Sequence, residues 1–249
     1  MNSLRFQNCI FDLYGTLVDI HTDEGDPGLW EKLALFYGYY NASYTPDELR
    51  IAFHRTVSVL EAGQTRLRRD AHECFPEIPI EEAFARLYRE KGVEADLPLA
   101  VHTGQFFRVL STEYIRLYDG AIELLRRLRA AGRGVYLLSN AQQIFTAYEV
   151  RALGLFPLFD AIYLSSACGC RKPDAAFFRL LLEEQRIAPE TAVMIGNDGV
   201  TDIAGAKAVG LSTVYIRSNI SPQEPLPEAD FVLERMDLAQ VGEILLREQ

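Results

Sequence analysis

Several features are scarce in this sequence, and each scarcity excludes something. Cys9, Cys74, Cys168 and Cys170 are the only cysteines among 249 residues, too few for a disulfide scaffold. Lys and Arg number 25 against 35 Asp and Glu, a net charge of -10. That balance argues against nucleic acid or an anionic membrane as the main partner. No run of about 18 apolar residues occurs, so no membrane-spanning helix is expected. No basic-then-apolar leader precedes the first apolar run, which together with the cysteine usage predicts a reducing cytoplasm. Internal repeats and low-complexity segments are missing too. Metal-ligand spacing is equally hard to find. Cys168-Gly169-Cys170 lacks a second Cys/His pair and reads as two ordinary thiols, and His21, His54, His72 and His102 follow no ligand pattern.

What is present is an ordinary globular composition, 49% hydrophobic and 24% charged, on a chain long enough for one large domain or a domain with an insert. Cys9-Ile10-Phe11 reads as a buried strand that delivers Asp12 at its C-terminal end, and Gly15 permits a tight turn. Gly, Pro and Asp between His21 and Gly28 read as a hinge. Helical patterns follow. Trp30, Leu33, Phe36 and Tyr37 share a face. Thr45-Pro46-Asp47-Glu48 opens a helix as a capping box, with Leu49, Phe53, Val57 and Leu60 along it. Further helices are expected over residues 80–91 and about 98–117, with no strand between Asp19 and Tyr118.

From Gly120 the period changes. Helices about Ala121 to Ala131, Gln142 to Leu153, Pro173 to Arg186, Thr201 to Val209 and Leu238 to Leu246 alternate with apolar runs at 134–138, 161–164, 192–195, 212–216 and 231–233. That alternation predicts a parallel sheet with helices on both faces. The expected architecture is therefore α/β: a doubly wound, Rossmann-like core of residues 1–19 and 113–249, split after its first strand by an all-helical cap of residues 20–112. Residues 218–228 read as a surface loop.

The polar residues that end these strands gather at one rim, where open parallel sheets bind ligands. They are Asp12 and Thr16, Ser139 and Asn140, and Asp198 and Asp202, with Lys172 ahead of a helix. Around a phosphoryl group each has a use. Asp12 attacks phosphorus to give an aspartyl-phosphate. Thr16, Ser139 and Asn140 hold the phosphate oxygens. Lys172 offsets repulsion between nucleophile and anionic substrate. Asp12, Asp198 and a backbone carbonyl suit magnesium. Singly, each also has a plain reading: Ser139-Asn140 as a helix N-cap, Asp202 as a first-turn charge, Lys172 as a solvated surface lysine.

Taken together the set resembles the haloacid dehalogenase superfamily over essentially the whole chain. Its motifs are matched by Asp12-Leu-Tyr-Gly-Thr16, Ser139, Lys172, and Gly196-Asn-Asp198 with Asp202, and a helical cap directly after the first motif looks like one of the family's cap classes. The resemblance implies Asp12 as nucleophile and magnesium held by Asp12, the Tyr14 carbonyl and Asp198, with Asp202 and Asn197 just behind. Phosphatases of the family carry Asp where this chain has Tyr14, and that Asp serves as general acid and base. A phenol with an ordinary pKa of about 10 is a poor base at neutral pH, though it can donate a proton. The family's haloacid dehalogenases do carry Tyr there and use no metal, but they lack the carboxylates at Asp198 and Asp202 and have Tyr where Phe178 stands.

The reading that follows is a magnesium-dependent hydrolase of small phosphorylated metabolites, with Tyr14 in the acid's position. A metal-free 2-haloacid dehalogenase and a weakly active binder of phosphorylated ligands are the alternatives. Arg50, Arg55, Arg66, Arg68 and Arg69 of the cap are candidates to meet an anionic substrate, and His21 is the histidine nearest the hinge. The chain is expected to act as a monomer or homodimer.

Overall fold

The computed structural model describes residues 6–67, 75–223 and 225–247, with residues 64–67 described by their backbone alone. The chain opens with strand β1 (Asn8–Phe11) and β2 (Val18–Thr22), then helices α1 (Pro27–Tyr39), α2 (Pro46–Leu67), α3 (Ile80–Glu90) and α4 (Leu97–Ser111). It returns through β3 (Thr112–Leu117), α5 (Ala121–Ala130), β4 (Gly134–Ser139), α6 (Gln143–Ala152), β5 (Ala161–Leu164), the single turn α7 (Ser165–Cys168) and α8 (Ala175–Glu184). Then come β6 (Ala192–Gly196), a π-helical turn over Gly199–Ala204, α9 (Gly205–Ala208), β7 (Ser212–Ile216), β8 (Phe231–Leu233) and α10 (Leu238–Leu246).

Six strands form one sheet in the order β5-β4-β1-β6-β7-β8, every neighbouring pair parallel. A parallel sheet is covered on both faces, which is why its strands are continuous apolar runs and not alternating ones. Side chains alternate between the two covers. Cys9, Phe11, Val135, Leu137, Val193 and Ile195 pack with α5 and α10, whereas Ile10, Tyr136, Leu138 and Met194 meet Phe177, Phe178 and Leu181 of α8. The strand order reverses at β1, so the carboxyl ends of β1, β4 and β6 flank the switch point.

Helices α1 to α4 bury a core of their own that includes Trp30, Leu33, Tyr37, Phe53, Phe84, Tyr88 and Phe107. The rings of Phe53 and Phe84 stack at 5.3 Å, and Trp30 lies 5.6 Å from Phe53. The capping box at the head of α2 is formed: Glu48 N–H donates to Thr45 Oγ1 at 3.3 Å and Thr45 N–H to Glu48 Oε2 at 2.9 Å.

The helical segment stands on a two-stranded antiparallel ribbon of β2 and β3, with Val18 opposite Leu117 and Ile20 opposite Ile115. This corrects the expectation of no strand between Asp19 and Tyr118 and of a helix running to residue 117. Ser111 ends α4, and Thr112-Glu-Tyr-Ile-Arg-Leu117 continues as a strand rich in β-branched and aromatic residues. Its helical reading had rested on Tyr114 and Leu117 falling at helical spacing. The partner that makes it a strand lies some 95 residues away.

The cap also meets the core at two other places. At Gly104 an added Cβ would lie 2.5 Å from Ile144 Cδ1 and 3.0 Å from Phe84 Cε2, so α4 approaches α6 closely at a residue without a side chain. Past α2, the segment 75–79 runs along the loop before α8. Arg171 N–H donates to the Phe75 carbonyl at 3.0 Å, Glu77 N–H to the Gly169 carbonyl at 3.3 Å, and Phe75 N–H to Asp174 Oδ2 at 3.3 Å. Glu77 is buried between Ser165 Oγ at 3.0 Å and Gln142 Nε2 at 3.1 Å, and burial raises its carboxyl above the ordinary range.

Candidate active site

Three β-strand ends and one loop build the site. Asp12 follows β1, Ser139 ends β4, and Gly196-Asn197-Asp198 leaves β6. Lys172 comes from the loop between α7 and α8, and its side chain is buried. Lys172 Nζ donates to Asp12 Oδ1 at 2.8 Å and to Asp202 Oδ1 at 2.6 Å, and Ser139 Oγ donates to Asp12 Oδ1 at 3.2 Å. Among the side-chain hydrogen bonds of the described residues, those to the Asp12 carboxylate go to Oδ1. Asp202 Oδ2 accepts the backbone N–H groups of Asn197 at 3.1 Å and Asp198 at 3.0 Å. Asp198 Oδ1 caps the π-helical turn through Val200 and Thr201 N–H, both at 2.8 Å. Sequence periodicity had suggested a plain helix from Thr201. The π turn brings Asp202 back over β6 and onto Lys172.

Burial disfavours the charged form of Lys172, but the two carboxylates more than offset it and raise its pKa. Burial likewise pushes Asp202 up, to about 7, despite Lys172, with Asp12 repelling it across the same ammonium. One cation thus serves two buried carboxylates, and the cluster carries a negative charge in a place shielded from water.

The remaining predicted residues divide. Asn197 borders the cavity and packs against the first motif: a Cβ on Gly15 (φ +86°) would lie 2.3 Å from the Asn197 amide nitrogen, so the turn after Asp12 admits glycine alone. Thr16 is fully buried with its hydroxyl 3.4 Å from Asn197 Oδ1, and it does not line the cavity. Asn140 lines the cavity, but its amide is engaged with the Lys172 backbone, donating to the carbonyl at 2.9 Å and accepting the N–H at 2.7 Å. It fixes the lysine loop, and the N-cap position of α6 falls to Gln142. Tyr14 is among the residues that line the cavity, while its hydroxyl donates to Glu149 of α6 and meets Thr146 Oγ1 at 2.9 Å. Burial, and next the Glu149 carboxylate, push the phenol well above its ordinary value.

The space enclosed by these groups measures about 250 Å³, and Ile220 and Pro222 close one side of it. The surface loop expected at residues 218–228 thus also borders this space. Ser218 and Ser221 hydroxyls lie 3.4 Å from the Asn197 amide, and Asn219 Nδ2 donates to Asp19 Oδ1 of the ribbon at 2.8 Å. Ser218 sits only two residues past the end of β7, the same position relative to its strand that Asp198 holds relative to β6. That shared placement was the available signal.

Two of the arginines predicted to meet substrate are described in full, each paired with a carboxylate. Arg55 pairs with Glu90 at 2.7 Å and Arg50 with Asp47 at 3.7 Å, all on the cap itself. The Arg66 side chain, Arg68, Arg69, His72 and Cys74 lie outside the described residues. His21 sits on the ribbon against Glu113 at 3.1 Å, and His54 packs on Trp30. Cys9 and Cys168 are free thiols, and burial raises Cys9 to about 12 and Cys168 in the same direction. Among the described residues no three His, Cys, Asp or Glu side chains converge as a metal cluster.

A family model described as haloacid dehalogenase-like hydrolase matches residues 6–210, a span reaching from β1 past Lys172 and Asp202. A phosphoserine phosphatase of Thermus thermophilus is 29% identical over 64% of this chain and 66% of its own. A glyceraldehyde 3-phosphate phosphatase of Pyrococcus furiosus is 30% identical over 65% of each. Among solved structures, a 2-haloacid dehalogenase from Pseudomonas syringae superposes with a TM-score of 0.64 at 21% identity, covering 96% of this chain and 98% of that one, and so shares the fold. With the matched span holding β1, the lysine loop and the turn after β6, this chain belongs to the haloacid dehalogenase-like hydrolases.

Proposed function

We propose that this chain is a magnesium-dependent phosphohydrolase acting on a small phosphorylated metabolite through Asp12. The observation that carries this reading is the Lys172 ammonium shared between Asp12 and Asp202 at the edge of a cavity of about 250 Å³. Lys172 and Ser139 hold one oxygen of Asp12, and the other attacks phosphorus to form an aspartyl-phosphate, which water then opens. Ser139 and the Lys172 ammonium are the donors nearest to the phosphate oxygens, where charge builds up in the transition state. Asp202 orients the lysine and closes the turn that carries Asp198. Asn140 holds the lysine loop and Asn197 holds Gly15, so both act behind the reacting groups.

The excess of carboxylates supports a divalent cation. Asp12 and Asp198 with the Tyr14 carbonyl form the sparse oxygen set magnesium takes while keeping several waters. Bound there, the ion would neutralise charge on the phosphoryl oxygens. The phosphatases among the relatives point to the same substrate class.

The test is hydrolysis of p-nitrophenyl phosphate with magnesium and with EDTA, alongside halide release from 2-chloropropionate. Turnover that requires magnesium and disappears in Asp12→Asn is expected. Metal-independent halide release with no phosphate release would replace this reading by the dehalogenase one, which Tyr14 favours. A raised melting temperature with a phosphate ester but no turnover would replace it by ligand binding.

A further inference from the structure

The acid position of the first motif holds Tyr14, and the surroundings of that phenol determine what it can do. Its hydroxyl donates to Glu149 Oε2 and shares a second contact with Thr146 Oγ1. Glu149 is in turn gripped by Arg108 of the cap helix α4, Nε to Oε1 at 2.7 Å and Nη2 to Oε2 at 3.2 Å. The guanidinium carbon lies 5.6 Å from the Tyr14 ring centre and 5.4 Å from that of Phe145. The side chains of Arg108 and Glu149 are only 18% and 11% exposed. The guanidinium donates to both oxygens of Glu149, which also accepts from the phenol, so the carboxylate stands as the acceptor of this network. The single proton of Tyr14 is committed to it.

We propose that Glu149 and Arg108 are positioning residues that turn the Tyr14 proton away from the reacting phosphoryl group, so that the site serves acyl and aryl phosphates in preference to alkyl ones. This rests on the phosphohydrolase reading. In the first step an Asp12 carboxylate oxygen bonds to phosphorus. The bond from phosphorus to the leaving oxygen breaks, and its electron pair departs on that oxygen. A carboxylate or a phenolate leaves in this way without a proton. An alkoxide does not, because its conjugate acid is about as weak as water (pKa ~15.7). In the second step a water oxygen bonds to phosphorus, the electron pair of the broken bond returns to Asp12 as carboxylate, and the water proton passes to solvent.

The experiment is kcat/KM with magnesium for acetyl phosphate, p-nitrophenyl phosphate, phenyl phosphate and glycerol 2-phosphate. A positioned general acid contributes about 10²–10⁴-fold, so the wild type should fall by at least about a hundredfold between the first two esters and the alkyl one. The double variant Arg108→Met/Glu149→Leu removes the pair without leaving an orphan charge and releases the hydroxyl from its carboxylate, with Thr146 as its remaining partner. It should narrow that ratio several-fold, with thermal unfolding reporting that it remains folded. A folded double variant with an unchanged ratio assigns the pair to packing alone and overturns the proposal. So does a wild type equally active across the series, which decides the matter even where the double variant does not fold. Those outcomes leave magnesium-dependent turnover of p-nitrophenyl phosphate standing. Hydrolysis of none of the series overturns both readings.

Discussion

Lys172 is where stability and chemistry can be separated. Replacing it with methionine keeps an unbranched apolar stem, one atom shorter, but leaves Asp12 and Asp202, which the ammonium meets at 2.8 and 2.6 Å, as buried carboxylates without their shared cation. Breaking a buried pair by removing one partner costs about 3–5 kcal/mol. At about 2–4 °C per kcal/mol for a chain of this length, the unfolding midpoint of Lys172→Met should drop by roughly 6–20 °C. Asp12→Asn does the reverse to the charge. The amide keeps the shape, and Lys172 is left with Asp202 as a one-to-one pair. Its midpoint should equal or exceed that of the parent, although both variants are inactive. Thermal unfolding in EDTA measures the two side by side, and the combined variant, with one lone carboxylate, should fall between them. A Lys172→Met midpoint within about 2 °C of the parent would refute this account of the cluster. So would an Asp12→Asn midpoint that falls as far as that of Lys172→Met.

Other perturbations test the surroundings. Gly15→Ala puts a methyl into the Asn197 amide at a positive φ, and should cost about 1–3 kcal/mol together with most turnover, read by unfolding and p-nitrophenyl phosphate assay. Glu77 has a folded pKa raised by burial, so its contribution to stability is present below the unfolded value of about 4.3 and lost as pH rises through the folded one. The stability of Glu77→Gln relative to the parent should therefore improve from pH 4 to 8, and a flat difference would exclude the effect. Asp19 behaves oppositely: against the cost of burial, hydrogen bonds from Asn219 and Arg116 lower its pKa, and its support fades as pH falls through that lowered value. Asp19→Ala should cost about 1–2 kcal/mol and raise KM more than it lowers kcat, since Asn219 anchors the loop holding Ile220 and Pro222.

Legibility in the sequence followed the range of the interaction. The strands β1, β4 and β6 are continuous apolar runs because both faces of a parallel sheet are covered, and a polar residue ending such a run stands out. Asp12, Ser139 and Asp198 were visible for that reason. The ribbon was not, because Thr112 to Leu117 becomes a strand only through Val18 to Thr22. Asn140 and Thr16 have phosphate-binding chemistry on paper. Their hydrogen bonds to Lys172 and Asn197 depend on loops that close 32 and 181 residues away. Glu149 and Arg108 carried no signal at all, since a charged residue on an amphipathic helix looks solvated until its neighbours are known.

The central position of β1 bears on how the protein is made. Asn8 pairs with Gly134 on one side and with Ala192 on the other. At about 5–20 residues per second, the ribosome supplies the second partner on the order of ten to forty seconds after the first strand. Both edges of this apolar strand ending in Asp12 stay open until Gly134 is made, and one edge stays open until Ala192 follows. The helical segment, whose contacts are mostly with itself, follows directly behind it. Solubility of the nascent chain should therefore depend more on how quickly those helices pack than on the strength of the finished sheet.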